Sequence, residues 1–166
     1  MTASAAQVWQ WLEEVSDPEI PVISVVDLGI VRKVELADDG ECVVTITPTY
    51  SGCPAMLTIA EEVEAVLQRH GVERVRLATQ LSPAWTTDWM SAAGKQKLKG
   101  YGIAPPAHQV IDISRLTRRA AQEPQVECPH CGSHKTRMSS QFGSTSCKSL
   151  YRCDDCLEPF DYFKCH

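Results

Sequence analysis

Cys128-Pro129-His130-Cys131 and Cys153-Asp154-Asp155-Cys156 constrain this chain more than any other feature in it. Two Cys-x-x-Cys pairs separated by a short loop have the ligand spacing of a tetrahedral thiolate metal site, each pair gripping the ion as a small knuckle. The stretch between them carries Met138, Leu150 and Tyr151 among polar residues and can form strands that bring the knuckles together. A tail of about forty residues with so little apolar content cannot fold on core burial alone. Metal binding would supply the missing free energy, roughly 10–16 kcal/mol for structural zinc in finger peptides. The competing reading is two disulfides. Adjacent partners of a Cys-x-x-Cys pair make poor staples, however, and nothing in the sequence suggests secretion. The expectation is therefore a closed, structural zinc site on Cys128, Cys131, Cys153 and Cys156.

The 166 residues suffice for one ordinary domain plus a small appendage. A hydrophobic fraction of 43% is normal for a soluble globular protein, and no apolar run approaches the length of a membrane span. The first residues, Met1-Thr2-Ala3-Ser4-Ala5-Ala6-Gln7, lack the basic and apolar regions of a signal peptide. Eight cysteines without a secretory signal point to a reducing compartment, so the expected location is cytoplasmic. A net charge of −5 makes nucleic acid a poor partner, although a zinc ribbon alone would suggest one. The only basic cluster, Arg115, Arg118 and Arg119, reads as a solvated hinge before the tail.

Val8, Trp11, Leu12 and Val15 recur at helical spacing and mark an amphipathic first helix that stops at Asp17-Pro18. Residues 22–36 are rich in β-branched side chains and predict a strand with an irregular start at Gly29. Asp38-Asp39-Gly40 is a hairpin turn, and residues 41–47 alternate as the partner strand, with Cys42 on the core face of Val44 and Ile46. Met56, Ile59, Ala60, Val63, Val66 and Leu67 line one face of a second helix, with Gly71 past its end. Residues 72–81 read as a third strand, residues 88–99 as a shorter helix, and residues 100–106 as a turn-rich exit. The fold class is α+β. A small α-β-β-α-β-α mixed-sheet domain over 1–106 is followed by a linker over 107–123, with one β-like run at 109–113. A rubredoxin-like zinc-ribbon module fills 124–166.

The loop Thr47-Pro48-Thr49-Tyr50-Ser51-Gly52-Cys53-Pro54 joins a strand to a helix. Proline suits a first helical turn, so Cys53 falls at or beside the helix start, facing unpaired amides and the positive end of the helix dipole. A cysteine so placed has a depressed pKa and is reactive or metal-binding. The plainer alternative is a buried, inert cysteine. Thr49 could direct its hydroxyl toward the sulfur. Asp17 and Glu19 flank Pro18; alone they make an ordinary helix terminator, but beside a thiolate they complete a plausible transient iron ligand set. The sequence offers no convincing Cys-His catalytic pair, since His70 closes a helix and His108 lies in the linker.

Asp17-Pro18-Glu19-Ile20-Pro21, Val26-Asp27-Leu28-Gly29-Ile30-Val31, Thr47-Pro48-Thr49 and Gly52-Cys53-Pro54 resemble the domain of metal–sulfur cluster biosynthesis factors. Trp85-Thr86-Thr87-Asp88-Trp89-Met90 and Gly102-Ile103-Ala104-Pro105-Pro106 extend the likeness. In the tail, the segments are Phe142-Gly143-Ser144-Thr145, Cys147-Lys148, Tyr151-Arg152-Cys153 and Glu158-Pro159-Phe160-Asp161-Tyr162-Phe163-Lys164. With the front domain they resemble the D-subunit family of the bacterial phenylacetyl-CoA epoxidase system along essentially the whole chain. The resemblance implies an accessory member of a multicomponent oxygenase in phenylacetate catabolism. It implies as partners a di-iron oxygenase and a reductase bearing flavin and an iron–sulfur centre. It also implies a role in iron–sulfur cluster or metal-centre maturation.

The first functional expectation is thus a non-catalytic assembly factor, neither nucleic-acid-binding nor membrane-bound. Cys53, helped by Thr49, Asp17 and Glu19, would hold iron or a cluster transiently, because one thiolate with carboxylate help binds weakly enough to release. The alternative is an electron carrier. Cys128-Pro129-His130-Cys131-Gly132 also resembles a rubredoxin knuckle, four thiolates can hold redox-active iron, and Tyr151, Phe160, Tyr162 and Phe163 could exclude water around it. The second pair lacks the matching proline and glycine, which favours zinc. Cys147 and Cys165 remain open as further ligands.

Overall fold

The computed structural model describes residues 3–107 and 125–164, which fall into two compact units, one up to Lys97 and one from Leu98 onward. The β-like run at 109–113, the arginine cluster, His108 and Cys165 lie outside the described residues.

In the first unit, α1 (Ala5–Leu12) opens with a capping box. Ser4 Oγ accepts the Gln7 amide while Gln7 Oε1 accepts the Ser4 amide, so two helix-end donors are satisfied reciprocally. The sheet is built from β1 (Val31–Leu36), β2 (Glu41–Ile46) and β3 (Arg74–Thr79) in the order β1-β2-β3. β1 runs antiparallel to β2 through the Gly40 hairpin, and β3 runs parallel to β2 after the crossover helix α2 (Ala55–Arg69). This is the expected mixed sheet. Cys42, Val44 and Ile46 on the central strand are buried, as are Ile59, Val63, Val66 and Leu67 of α2 and Val8 and Leu12 of α1. Spacings of three and four residues on α2 and alternation on β2 place these side chains on facing surfaces of one core.

β1 begins at Val31 rather than near residue 22. The preceding residues are occupied by a compact loop: the Val25 amide donates to Val15, the Ile30 amide donates to Val25, and Gly29 turns the chain at φ +71°. A Cβ at Gly29 would lie 2.5 Å from the Trp89 carbonyl oxygen, so glycine is required there twice over. Trp85 donates its indole N–H to the Leu28 carbonyl at 2.9 Å, and the Arg32 guanidinium stacks 3.5 Å from the Trp89 ring centre. The segment expected as a helix over 88–99 divides into a short 3₁₀ turn, Thr87–Trp89, and α3 (Ala92–Gly100). Ser91 starts α3 by accepting the Gly94 amide on its hydroxyl.

The second unit is a four-stranded sheet of β4 (Ile103–Ala104), β5 (Thr136–Ser140), β6 (Lys148–Cys153) and β7 (Pro159–Phe163), in the order β4-β7-β6-β5. β5, β6 and β7 form the expected antiparallel ribbon. β4 comes from the stretch read as a turn-rich exit of the front domain, yet it pairs in parallel with β7, Ile103 opposite Asp161 and Ala104 opposite Tyr162. Residues 98–106 therefore group with the ribbon. The ribbon also has a small core beyond its thiolates: Ala104, Val126, Tyr151, Phe160 and Tyr162 pack with Cys128 and Cys153. Among the described residues no helix is long and apolar enough to cross a membrane.

Candidate functional site

The two knuckles close on one another. Cys128 Sγ lies 3.7 Å from Cys156 Sγ, Cys131 Sγ lies 3.5 Å from Cys153 Sγ, and all four sulfurs fall within 4.8 Å of one another. A tetrahedral ion with bonds of about 2.3 Å requires sulfurs about 3.8 Å apart, close to the two short pairs, so the set suits zinc or iron. Backbone amides turn toward the sulfurs: Ser133 toward Cys131, Cys156 and Asp155 toward Cys153, and Glu158 toward Cys156. These contacts come from the turn after each pair. Gly132 makes the first turn at φ +76°, and Leu157, a non-glycine residue, makes the second at φ +66°. That turn geometry is where the sequence lacks the second glycine.

The sulfurs without a cation cannot all ionise. Amides of Cys156 and Asp155 bring the Cys153 thiol down to about 7. At Cys156 the favourable Glu158 amide is outweighed by lost hydration and by the neighbouring sulfurs, and the thiol is pushed up to about 12. A divalent cation supplies the counter-charge that four thiolates need. Cys128 and Cys153 are fully buried while Cys131 is exposed. Cys147 is buried apart from this cluster, its sulfur 3.0 Å from Thr145 Oγ1.

The Cys53 loop is built differently. Gly52 turns at φ +99°, the Cys53 carbonyl accepts the Met56 amide at 3.3 Å, and Pro54 caps α2. The sulfur is half-buried and receives the Ala55 amide of the first helical turn, as the dipole argument anticipates. The expected depression of its pKa does not follow. Burial pushes the thiol up, and the carboxylates of Glu19 and Asp17 push it further, outweighing the Ala55 amide and a hydrogen bond from Tyr50. Asp17 is positioned by its own turn, accepting the Glu19 and Ile20 amides at 2.7 and 2.9 Å. Asp17, Glu19 and Cys53 therefore come together from distant parts of the sequence. Tyr50, rather than Thr49, is the side chain that hydrogen-bonds the sulfur; Thr49 is buried in the same loop. Nearby Thr47 buries a hydroxyl that has no hydrogen-bond partner among the described residues.

These two features are those of known families. Residues 5–77 match the family of iron–sulfur cluster assembly proteins, and residues 113–164 match the PaaD zinc β-ribbon domain. An Escherichia coli (strain K12) protein, provisionally named as the D-subunit of 1,2-phenylacetyl-CoA epoxidase, is 46% identical over 96% of this chain and 92% of its own length. An iron–sulfur protein maturation auxiliary factor from Porphyromonas gingivalis is 41% identical over 48% of this chain and 76% of its own. The crystal structure of a domain of unknown function from Bacillus anthracis superimposes with a TM-score of 0.53 at 30% identity. It covers 56% of this chain and 89% of that one. The class is an iron–sulfur-assembly-type domain carrying a four-cysteine metal-binding ribbon. Within it, the chain belongs to the D-subunit family of 1,2-phenylacetyl-CoA epoxidase.

Proposed function

We propose that this chain is a cytoplasmic, non-catalytic accessory protein of a phenylacetyl-CoA epoxidase system. It acts in assembling the iron–sulfur cluster or metal centre of its partners, the oxygenase and reductase subunits or other iron–sulfur assembly proteins. The observation that carries the reading is the meeting of Cys53 with Asp17 and Glu19 at the start of α2. One sulfur that resists ionisation until a cation offsets two carboxylates is an incomplete ligand set, suited to holding iron briefly and releasing it. Thr49 and Tyr50 shape the same loop. The complete set at Cys128, Cys131, Cys153 and Cys156 has the opposite character and holds zinc as a structural ion. The functional division follows: an assembly domain over 1–106, a linker over 107–123 and a ribbon over 124–166, with β4 handed from the first to the last.

Two experiments test this. Cells carrying Cys53→Ala should lose growth on phenylacetate while the variant accumulates as a stable protein; undiminished growth removes the reading. Anaerobically purified protein should be colourless and contain one zinc per chain. Iron with thiolate-to-iron absorption would instead favour the electron-carrier alternative, which the aromatic packing of Tyr151, Phe160 and Tyr162 around Cys128 and Cys153 supports.

A further inference from the structure

We propose that residues 98–107 form a strap whose order is set by the metal in the ribbon, so that metal occupancy decides whether the end of α3 is held or loose. β4 is two residues long and, among the described residues, pairs with β7 alone. A strand that short does not persist by itself. What holds it is the ribbon's interior. Ala104 is 1% exposed and packs in the same core as Cys128 and Cys153, two of the four ligands.

Three further contacts bind the strap to the knuckles. Gly102, at φ +88°, runs beneath His130, and a Cβ there would lie 3.2 Å from the imidazole Cε1. His130 sits between Cys128 and Cys131, so its position is fixed by the first knuckle. Lys99 donates to Glu127 Oε1 at 2.8 Å, and Glu127 immediately precedes Cys128. The Ala107 amide donates to the Tyr162 hydroxyl at 3.4 Å.

Each anchor is a ligand, a neighbour of a ligand, or a member of the core the ligands complete. Removing the ion leaves four sulfurs packed together without a counter-charge, and the knuckles that place His130, Glu127 and Cys128 open. The strap then has only two residues of pairing left. Coupling is reciprocal: an ion that orders the strap binds more tightly when the strap can close. The residue before the strap, Lys97, clamps Asp27 in the first unit, so with the ion removed the ordered part of α3 should shorten to that clamp. The inference rests on the reading that the four cysteines hold a metal, and it stands whatever Cys53 does.

Hydrogen–deuterium exchange on the full chain tests it, comparing protein loaded with zinc against protein stripped by a chelator under reducing conditions. Exchange over 98–107 should rise about tenfold or more on stripping, together with that of β5–β7, while β1–β3 stay protected. Gly102→Val should weaken zinc binding about fivefold in competition with a chromophoric chelator. A ribbon that opens while 98–107 keeps its protection overturns the strap and leaves the metal site intact. So does unchanged zinc affinity in Gly102→Val. A chain that takes up no zinc overturns both.

Discussion

Lys97 of α3 donates to the carboxylate of Asp27, a residue only 5% exposed that also accepts the Ser91 hydroxyl. Three parts of the assembly domain meet there: the Val25–Ile30 loop, the start of α3 and its penultimate turn. The Asp27 amide is held in turn by Ser24, whose hydroxyl donates to Glu13 at the end of α1. This chain of bonds is what keeps residues 22–30 a shaped loop instead of an extension of β1.

Burial alone would raise the Asp27 pKa, but the bonds from Lys97 and Ser91 win and hold it below the usual carboxylate range. A carboxylate depressed in the folded state stabilises above its unfolded pKa, and that contribution is lost as pH falls through the folded value. Asp27→Asn should therefore destabilise the protein by about 2 kcal/mol at pH 7. The gap from wild type should narrow below about pH 4. Urea denaturation of the zinc-loaded full chain at both pH values measures this. An equal gap at both would show that the ion pair contributes nothing.

The Cys53 thiol should react slowly for a half-exposed cysteine. Its pKa is raised by burial and by Glu19 and Asp17, so less thiolate is present at neutral pH than in a free thiol. Glu19→Gln should speed alkylation severalfold at pH 7, and the wild-type rate should climb steeply between about pH 8 and 10. Mass-spectrometric mapping after brief, limiting alkylation reads both. Rapid labelling of wild type at pH 7, indifferent to Glu19→Gln, would mean that the helix end governs the sulfur after all.

Leu157 holds a left-handed backbone and is 61% exposed, so glycine would relieve strain there and sacrifice little packing. Leu157→Gly should raise the stability of the zinc-loaded ribbon by about 0.5–1 kcal/mol, while Leu157→Ala, which keeps a Cβ, should not. Thermal unfolding of the zinc-loaded full chain, followed by release of zinc to a chromophoric chelator, distinguishes them. Two equally stabilised variants would place the effect in the leucine side chain.

Gly29→Ala should be among the most damaging changes in the assembly domain. The new methyl group meets the Trp89 carbonyl at 2.5 Å, in a backbone conformation that disfavours it, and it displaces the ring on which Arg32 stacks. A loss of about 3 kcal/mol is expected by denaturant unfolding. A loss below about 1 kcal/mol would show that the Trp85–Trp89 segment moves freely away from the loop.

Local chemistry was readable in the sequence, and long-range geometry was not. Cys128, Cys131, Cys153 and Cys156 announce themselves because knuckle spacing is a property of four consecutive residues, and Gly52-Cys53-Pro54 marks a helix start in the same way. The helices and strands around Val44 and Val63 follow from periodicity. The electrostatics of Cys53 did not, because Glu19 and Asp17 reach it only through the folded loop. β4 carries no periodicity in its two residues, and its partner lies near the other end of the chain. Leu157 hid the second knuckle turn because sequence patterns expect glycine at positive φ. Gly102 reads as part of a turn, and it does turn the chain at the end of α3, so its close approach to His130 carried no separate signal.

If this chain loads its partners, as proposed, their turnover does not require it. The decisive measurement is the metal and cluster content of oxygenase and reductase purified from cells carrying Cys53→Ala, set against cells with the intact chain. Partners from the variant cells should lack iron or cluster, and partners from intact cells should stay active after this chain is removed. Fully metallated partners from Cys53→Ala cells, inactive until this chain is added back, would contradict the account and move its function to the four cysteines of the ribbon.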